Sequence, residues 1–274
     1  MSTSDIFQSI DDLPPDSLQK IIDRLEFRGA DAVFVKMRDT YLGKIDLASC
    51  KRILDIGCGT GVITRALAQR SDFKGKIVGI DFSRALIDAA RNFARQEGLS
   101  KRIEFRVGNS HSLDELDNSY DLVLAHTLVS HVSDPASVVA DAARVVAPGG
   151  TFAIFDGDYA SLTFGAGDPA MNTTVTSAIL DTIVANPQIM RHLLKMLMAS
   201  GFELVDFLPE VYAEAGSGKF FINMAASYVP MAVSAKLLAG NVGADWLAMQ
   251  NAASDGGTFF GACNFYTYLA RKPQ

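Results

Sequence analysis

Two carboxylates and three glycines open the chemical reading. Asp55-Ile56-Gly57-Cys58-Gly59-Thr60-Gly61 is an acid-led glycine loop of the form D-x-G-x-G-x-G. It follows the apolar run starting at Ile53 and precedes a helical pattern beginning near Val62. Glycines at such a place allow a tight turn and let the backbone come close to a ligand. A second apolar run, Lys76 to Asp81, ends on an acid 20 residues after Gly61. A carboxylate there can accept both hydroxyls of a ribose. A nicotinamide fingerprint, G-x-G-x-x-G/A, needs a small third residue where helix packs on strand. This chain has the β-branched Val62 instead. The spacing therefore points to a nucleoside ligand other than a nicotinamide dinucleotide.

Candidate proton-transfer groups cluster downstream. His126 and His131 flank the end of the run Tyr120 to Ala125, in a chain with 4 histidines. His126 lies nearer the expected ligand edge and is one candidate general base; His131 is expected to order the loop before Asp134-Pro135. Phe155-Asp156-Gly157-Asp158-Tyr159 follows another apolar run. Asp158 is the second base candidate, or a loop-capping carboxylate, and Tyr159 a pocket wall. Arg191 can anchor an acidic substrate group or lie on the surface. Tyr228 can line a pocket or fill the core. His111 and His192 read as surface or capping residues. No metal is expected: His126 and His131 lack an acid at ligand spacing, and Cys50, Cys58 and Cys263 contain no CxxC pair.

These residues need a scaffold that brings strand ends together. Apolar runs recur at 53–56, 76–81, 103–107, 120–125, 151–156, 203–208 and 259–270. Helical patterns separate the first five, notably 83–97 and 135–146, and continue at 171–184 and 187–200. Strands alternating with helices imply right-handed βαβ units around a parallel sheet, and continuous apolar runs fit strands buried on both faces. Residues 1–50 read as an N-terminal helical cap. In it Pro14-Pro15-Asp16-Ser17 starts a helix, Asp16 or Ser17 caps it, and Gly29 interrupts the pattern. Two segments are poor in charge: 159–190 holds only Asp168 and Asp181, and 216–250 only Lys219, Lys236 and Asp245. They read either as tightly packed helices or as the walls of an apolar pocket, a lid at about 160–186 and 217–251.

The motifs together resemble the class I S-adenosylmethionine-dependent methyltransferases. The resemblance rests on the loop Asp55–Gly61, on Asp81, on Gly108-Asn109-Ser110, on Tyr120-Asp121-Leu122-Val123 and on Ala147-Pro148-Gly149-Gly150. His131-Val132-Ser133-Asp134-Pro135 and the ending Ala270-Arg271-Lys272-Pro273 are similar to the small-molecule branch near the ubiquinone and menaquinone methyltransferases. It implies an α/β fold: a seven-stranded, mostly parallel, doubly wound Rossmann-like sheet with a helical lid, its last strand antiparallel, spanning 51–274. It also implies S-adenosyl-L-methionine as cofactor. The glycine loop (Gly57, Cys58, Gly59, Gly61) would set backbone amides and carbonyls against the amino-acid tail. Asp55 would orient the loop and the amino group. Asp81 would take the ribose, Phe82 the adenine face, Asn109 through its amide oxygen the adenine amine, and Ser110 the ring through its backbone. Ala125 or His126 would border the methionine moiety, and Arg38 and Tyr41 would close over the tail.

The expected function is methylation of a small, largely apolar metabolite, at oxygen or carbon rather than nitrogen, in the manner of secondary metabolism. The alternative is a cofactor-binding protein that catalyses a non-methylating reaction or senses the cofactor. A chain of 274 residues is long enough for a full core. Its 31 acids against 25 bases give a net charge of −6, which argues against a nucleic-acid partner. No run of 18 apolar residues suggests a membrane span, and residues 1–12 carry no basic leader. Cysteine usage fits a reducing cytoplasm. The apolar lid surface fits a homodimer as well as it fits intramolecular packing.

Overall fold

The computed structural model describes residues 10–274; residues 1–9 of the expected cap and leader reading lie outside them. Seven strands form one sheet: β1 (Arg52–Ile56), β2 (Lys76–Asp81), β3 (Ile103–Val107), β4 (Tyr120–His126), β5 (Val146–Phe164), β6 (Glu203–Gly216) and β7 (Phe259–Arg271). Their order is β3-β2-β1-β4-β5-β7-β6. The first five pair in parallel, and β7 runs antiparallel between β5 and β6, as expected. The order reverses direction between β1 and β4. A crevice at the carboxyl ends of the strands is the usual ligand position at such a switch.

Side-chain alternation explains why the strands read as unbroken apolar runs. Ile53, Leu122, Leu124, Ala153 and Phe155 point into one core. Leu54, Ile56, Val123, Ala125, Phe152 and Ile154 point into the other. Both faces are covered, so both register positions are mostly apolar; the buried acids Asp55 of β1 and Asp156 of β5 are exceptions. Helices α3 (Val62–Gln69), α4 (Arg84–Gln96) and α5 (Pro135–Val145) are the crossovers. Asp134 caps α5 through the amides of Ala136 and Ser137. Ser83 caps α4, and Asp11 ties the N-terminal segment to the same turn through Ser83 Oγ and the Arg84 amide.

Helices α1 (Pro15–Ala30) and α2 (Ala32–Leu42) precede the sheet. Two details of the sequence reading are corrected here. The residue before α1 is Pro14, so Asp16 and Ser17 lie inside the first turn and cap nothing. The side-chain cap is Asp31, which starts α2 by accepting from the Val33 and Phe34 amides. Gly29 does not interrupt α1. A Cβ there would come within 2.4 Å of Val62, so glycine is what lets α1 lie against the start of α3.

Later elements are α6 (Pro169–Ile183), a 3-10 turn at Ile189–Arg191, α7 (Leu193–Ala199), α8 (Phe220–Ser234) and α9 (Gly240–Asp255). The charge-poor segments become α6, α8 and α9, which pack on one another. Trp246 is fully buried, its Nε1 donates to Asn172 Oδ1 at 2.6 Å, and its ring meets Phe164 edge-on at 4.8 Å. Strand β5 outlasts the expected 151–156. After a register shift between Asp158 and Thr163 it continues alongside β7. Among the described residues no helix is long and apolar enough to cross a membrane.

Candidate active site

A cavity of about 490 Å³ opens at the carboxyl ends of β1, β2 and β4. The β1 loop contributes Asp55, Gly57, Cys58, Gly59 and Thr60; the end of β2 contributes Asp81 and Phe82; the turn after β3 contributes Asn109 and Ser110. His126 and His131 close the far side, and Leu25, Arg28, Phe34 and Arg38 reach in from α1 and α2. A volume of this size suits a cofactor-sized ligand with a few converging polar groups.

The loop geometry comes from its glycines. Gly61 has φ +78° and starts α3; a Cβ on it would meet the Phe105 ring at 2.5 Å. Gly59 has φ +53°, and a Cβ there would meet only Leu25 of the wall, at 3.6 Å, so its missing side chain leaves the cavity open. Gly61 itself is not on the wall. Of the loop amides and carbonyls expected against the amino-acid tail, three amides are taken up within the protein. The Gly57 and Cys58 amides donate to the Ile80 carbonyl, at 2.7 and 3.0 Å, and the Gly59 amide donates to Asp81 Oδ2 at 2.9 Å. Thr60 Oγ is buried with no hydrogen-bond partner, which is costly unless a ligand completes it.

Asp81 is 8 % exposed, and its Oδ1 accepts from the Ser83 amide at 2.9 Å. Each oxygen thus holds one backbone amide and keeps a lone pair free, the arrangement a vicinal diol needs. Burial raises its pKa against the pull of those amides. Asp55 is 1 % exposed and accepts from Thr64 Oγ at 2.5 Å. Burial, helped by the Asp81 charge, pushes its carboxyl up to about 7 despite the Thr64 bond. An acid whose folded pKa lies above its ordinary value is held comfortably while protonated. Its contribution to stability is present below about pH 4 and is lost as pH rises through about 7. Asp55→Asn removes that loss. Its melting temperature is expected to exceed that of the parent by several degrees at pH 8 and by little at pH 5. Melting curves at both pH values check this; a gap that narrows with rising pH would contradict it.

Three cofactor-side expectations change. Asn109 Oδ1 already accepts from the His111 amide at 2.9 Å and lies 3.0 Å from His111 Nδ1, so the side of Asn109 left for a ligand is its amide nitrogen. His111, read as a surface or capping residue, lines the cavity and receives the Asp134 amide on Nε2 at 3.3 Å. Tyr41 is 1 % exposed and off the wall; its hydroxyl lies 3.0 Å from His126 Nδ1. It supports His126 from behind instead of covering a ligand. The His126 ring stacks on Phe155 at 4.4 Å. Burial, then the charges of Arg28 and Arg38, lower its pKa well below the usual value.

On the substrate side the structure scatters what the sequence grouped. Asp158 is not on the wall. Arg191 donates to both its oxygens, Nε at 3.0 Å to each and Nη2 at 2.9 Å to Oδ2. That pairing removes Asp158 as a base and Arg191 as a free anchor. Asp158→Asn is therefore expected to lower the melting temperature by a few degrees while leaving turnover intact, checked by parallel melting and activity measurements. Tyr159 lies off the wall between His131 and Phe265, each 6.3 Å away, and burial raises its pKa. Tyr228 accepts from Arg24 Nε at 2.6 Å and joins α8 to α1. No residue of 160–186 or 217–251 lines the cavity; their helices α6, α8 and α9 pack on one another.

Sequence reasoning passed over Arg28, Phe34 and Leu128, and gave His131 only a loop role. His131 is on the wall, and its charge bears on Asp156, a fully buried acid that accepts from Ser130 N, Ser130 Oγ and Gly157 N.

A family profile described as "Methyltransferase domain" matches residues 47–198, more than half of the chain. The chain belongs to this methyltransferase family. Its fold is that of the class I methyltransferases, and S-adenosyl-L-methionine is its cofactor. The domain is 30% identical over 236 residues to an uncharacterised 37.1 kDa protein in transposon TN4556 of Streptomyces fradiae, covering 85% of this chain and 66% of that protein. It is 38% identical over 100 residues to a ubiquinone biosynthesis O-methyltransferase of Hahella chejuensis, covering 36% and 40%. The chain thus spans from two fifths to two thirds of the length of these curated relatives. Among solved structures the [4+2]-cyclase SpnF shares the fold, with a TM-score of 0.56 at 23% identity over 88% of this chain and 81% of that one. The methyltransferase domain's buried, unpartnered Thr60 hydroxyl, the opening at Gly59 and the diol-ready carboxylate of Asp81 fit this cofactor.

Proposed function

We infer that the protein transfers the methyl group of S-adenosylmethionine to a small, largely apolar metabolite, at an oxygen or carbon. One observation carries the reading. A single cavity joins the groups suited to the nucleoside, Asp81 and Asn109, through Asp55 and the glycine loop, to His126 and His131. When bound, the cofactor supplies an electrophilic methyl group on a sulfonium.

The residues divide by role. Asp81 holds the ribose, Phe82 and Ser110 flank the base, and Asn109 offers its amide to it. Asp55, Thr60 and Arg38 face the amino-acid tail. Helices α1 and α2 form the cap, contributing Leu25, Arg28, Phe34 and Arg38 to the wall. Much of the acceleration in methyl transfer comes from holding the acceptor in line in a dry site. An acceptor that must lose a proton, such as a hydroxyl or a carbon acid, needs a base as well. His126 is neutral at neutral pH, because burial and two nearby cations oppose its charging, and it borders the cavity.

Labelled-methyl transfer tests the function. The purified protein, incubated with methyl-labelled S-adenosylmethionine and a metabolite extract, is expected to yield a labelled small molecule and S-adenosylhomocysteine. Binding of the cofactor without label transfer would favour the second reading, a non-methylating reaction or cofactor sensing. The shared fold of a [4+2]-cyclase supports making that comparison, since the cofactor-binding groups would serve both.

A further inference from the structure

Arg28 is a cation on the cavity wall, and among the described residues no acid pairs with it. It lies in the last turn of α1. Its Nη2 is buried without a hydrogen-bond partner. Several other arginines of the fold have acid partners: Arg65 has Glu26 and Glu97, Arg144 has Asp141 and Asp117, Arg191 has Asp158, and Arg38 has Asp39. Arg28 instead rests on aromatic faces, 4.5 Å from the Phe34 centroid and 5.9 Å from that of Phe265. Ring faces offset part of the cost of desolvating a guanidinium. They do not replace an anion, and a guanidinium nitrogen buried without a partner is costly.

Its place in the sheet gives the direction. The cavity's nucleoside groups lie at the ends of β2 and β3, and the glycine loop follows β1. Moving across the sheet, β4 ends at His126, and β5 and β7 come next. Phe155 of β5 stacks on both His126 and Phe265 of β7. Arg28 lies 5.9 Å from the centroid of that Phe265 ring. Its charge reaches His126, Tyr159 and Cys263. This is the acceptor's half of the cavity if the cofactor occupies the other.

We propose that Arg28 receives a carboxylate carried by the methyl acceptor, whose remaining body is apolar and packs against Phe34 and Leu128. This rests on the methyl-transfer reading and narrows its substrate class to organic acids. The guanidinium fork matches a carboxylate with two parallel hydrogen bonds, which a neutral amide cannot reproduce. Two carboxylates can enter the cavity, that of the acceptor and that of the cofactor's own tail. The nearness of Phe265, on β7, favours the first.

The experiment titrates the full chain, saturated with S-adenosylhomocysteine, with benzoate, cinnamate and 1- and 2-naphthoate, and with the primary amide of each. At least one acid is expected to bind about tenfold more tightly than its amide. In Arg28→Met the ratio is expected to fall to about one, and in Arg28→Lys to lie between, since a point charge keeps the attraction and loses the fork. Equal binding of acids and amides by the parent, or no acid bound at about 5 mM, overturns the proposal. So does an Arg28→Met protein that keeps the acid preference but loses about tenfold in S-adenosylhomocysteine affinity; Arg28 would then hold the cofactor's carboxylate. The parent comparison of acid with amide needs no variant to fold. If S-adenosylhomocysteine itself fails to bind the parent, the methyl-transfer reading falls and this inference falls with it. If it binds and acids are not preferred, only the inference falls.

Discussion

Replacing Asp81 by Ala is expected to raise the dissociation constant for S-adenosylhomocysteine about a hundredfold. The carboxylate ends β2, faces the cavity and keeps one lone pair free on each oxygen beyond the Gly59 and Ser83 amides. Hydrogen bonds to a charged acceptor contribute about 1.5–3 kcal/mol each. Two such bonds to a ribose diol would together exceed the roughly 2.8 kcal/mol that a hundredfold represents. Asp81→Asn separates charge from shape. Its side-chain oxygen still accepts, but its nitrogen faces either a backbone amide or a ribose hydroxyl, so a smaller loss is expected. Calorimetric titration of both variants, with a melting curve to show that each is folded, makes the measurement. An Ala variant that binds as the parent does would remove the ribose assignment. The Ala variant also leaves the Gly59 amide without its acceptor, so the glycine loop loses part of its anchor to β2. The Asn variant tells the two effects apart, because its oxygen can keep the Gly59 bond.

The contrast between Asp81 and Arg28 shows which parts of the site are legible in a sequence. Asp55, Gly57, Gly59, Asp81, Asn109 and His126 all lie at or just after the carboxyl end of a strand that an apolar run announces. In a parallel sheet those ends meet at one edge, so strand order alone gathers them. Arg28 carries no such signal. A charge on an amphipathic helix ordinarily faces water, and only the close approach of α1 to Val62, allowed by Gly29, turns this wall of the helix inward. The errors have the same origin. Asp158 meets Arg191 33 positions later, Tyr41 meets His126 after 85, and Arg24 meets Tyr228 after 204. Nothing local marks these partners, and each pairing changes what its residue is free to do. The charge-poor helices were ambiguous for a different reason. An apolar face looks alike in sequence whether it closes over a ligand or over another helix, and here α6, α8 and α9 close over each other.

His126→Ala is expected to lower turnover of an acceptor that must lose a proton by about 10²–10⁴-fold, the usual share of a positioned base. S-adenosylhomocysteine affinity should change far less. The base role needs a free ring nitrogen toward the cavity, and Tyr41 can provide it. If Nδ1–H donates to the Tyr41 hydroxyl across their 3.0 Å contact, Nε2 carries the lone pair. Burial raises the Tyr41 pKa, so the phenol stays neutral and available as that acceptor. Tyr41→Phe should then reduce turnover with little effect on the Michaelis constant, as expected of a positioning residue. The pH profile gives a second readout. A histidine whose pKa is lowered is already deprotonated at neutral pH, so the acid limb of kcat/KM should fall well below pH 6.5 and the rate should be flat above it. His131 is the control, since it borders the same cavity and feels the buried Asp156. A protein that keeps full turnover without His126 and loses it without His131 would move the base by five residues and sink the His126 assignment. Full turnover in both variants would mean that the acceptor arrives already ionised, as the carboxylate or a phenolate of an organic acid would, and that placement beside the cofactor suffices.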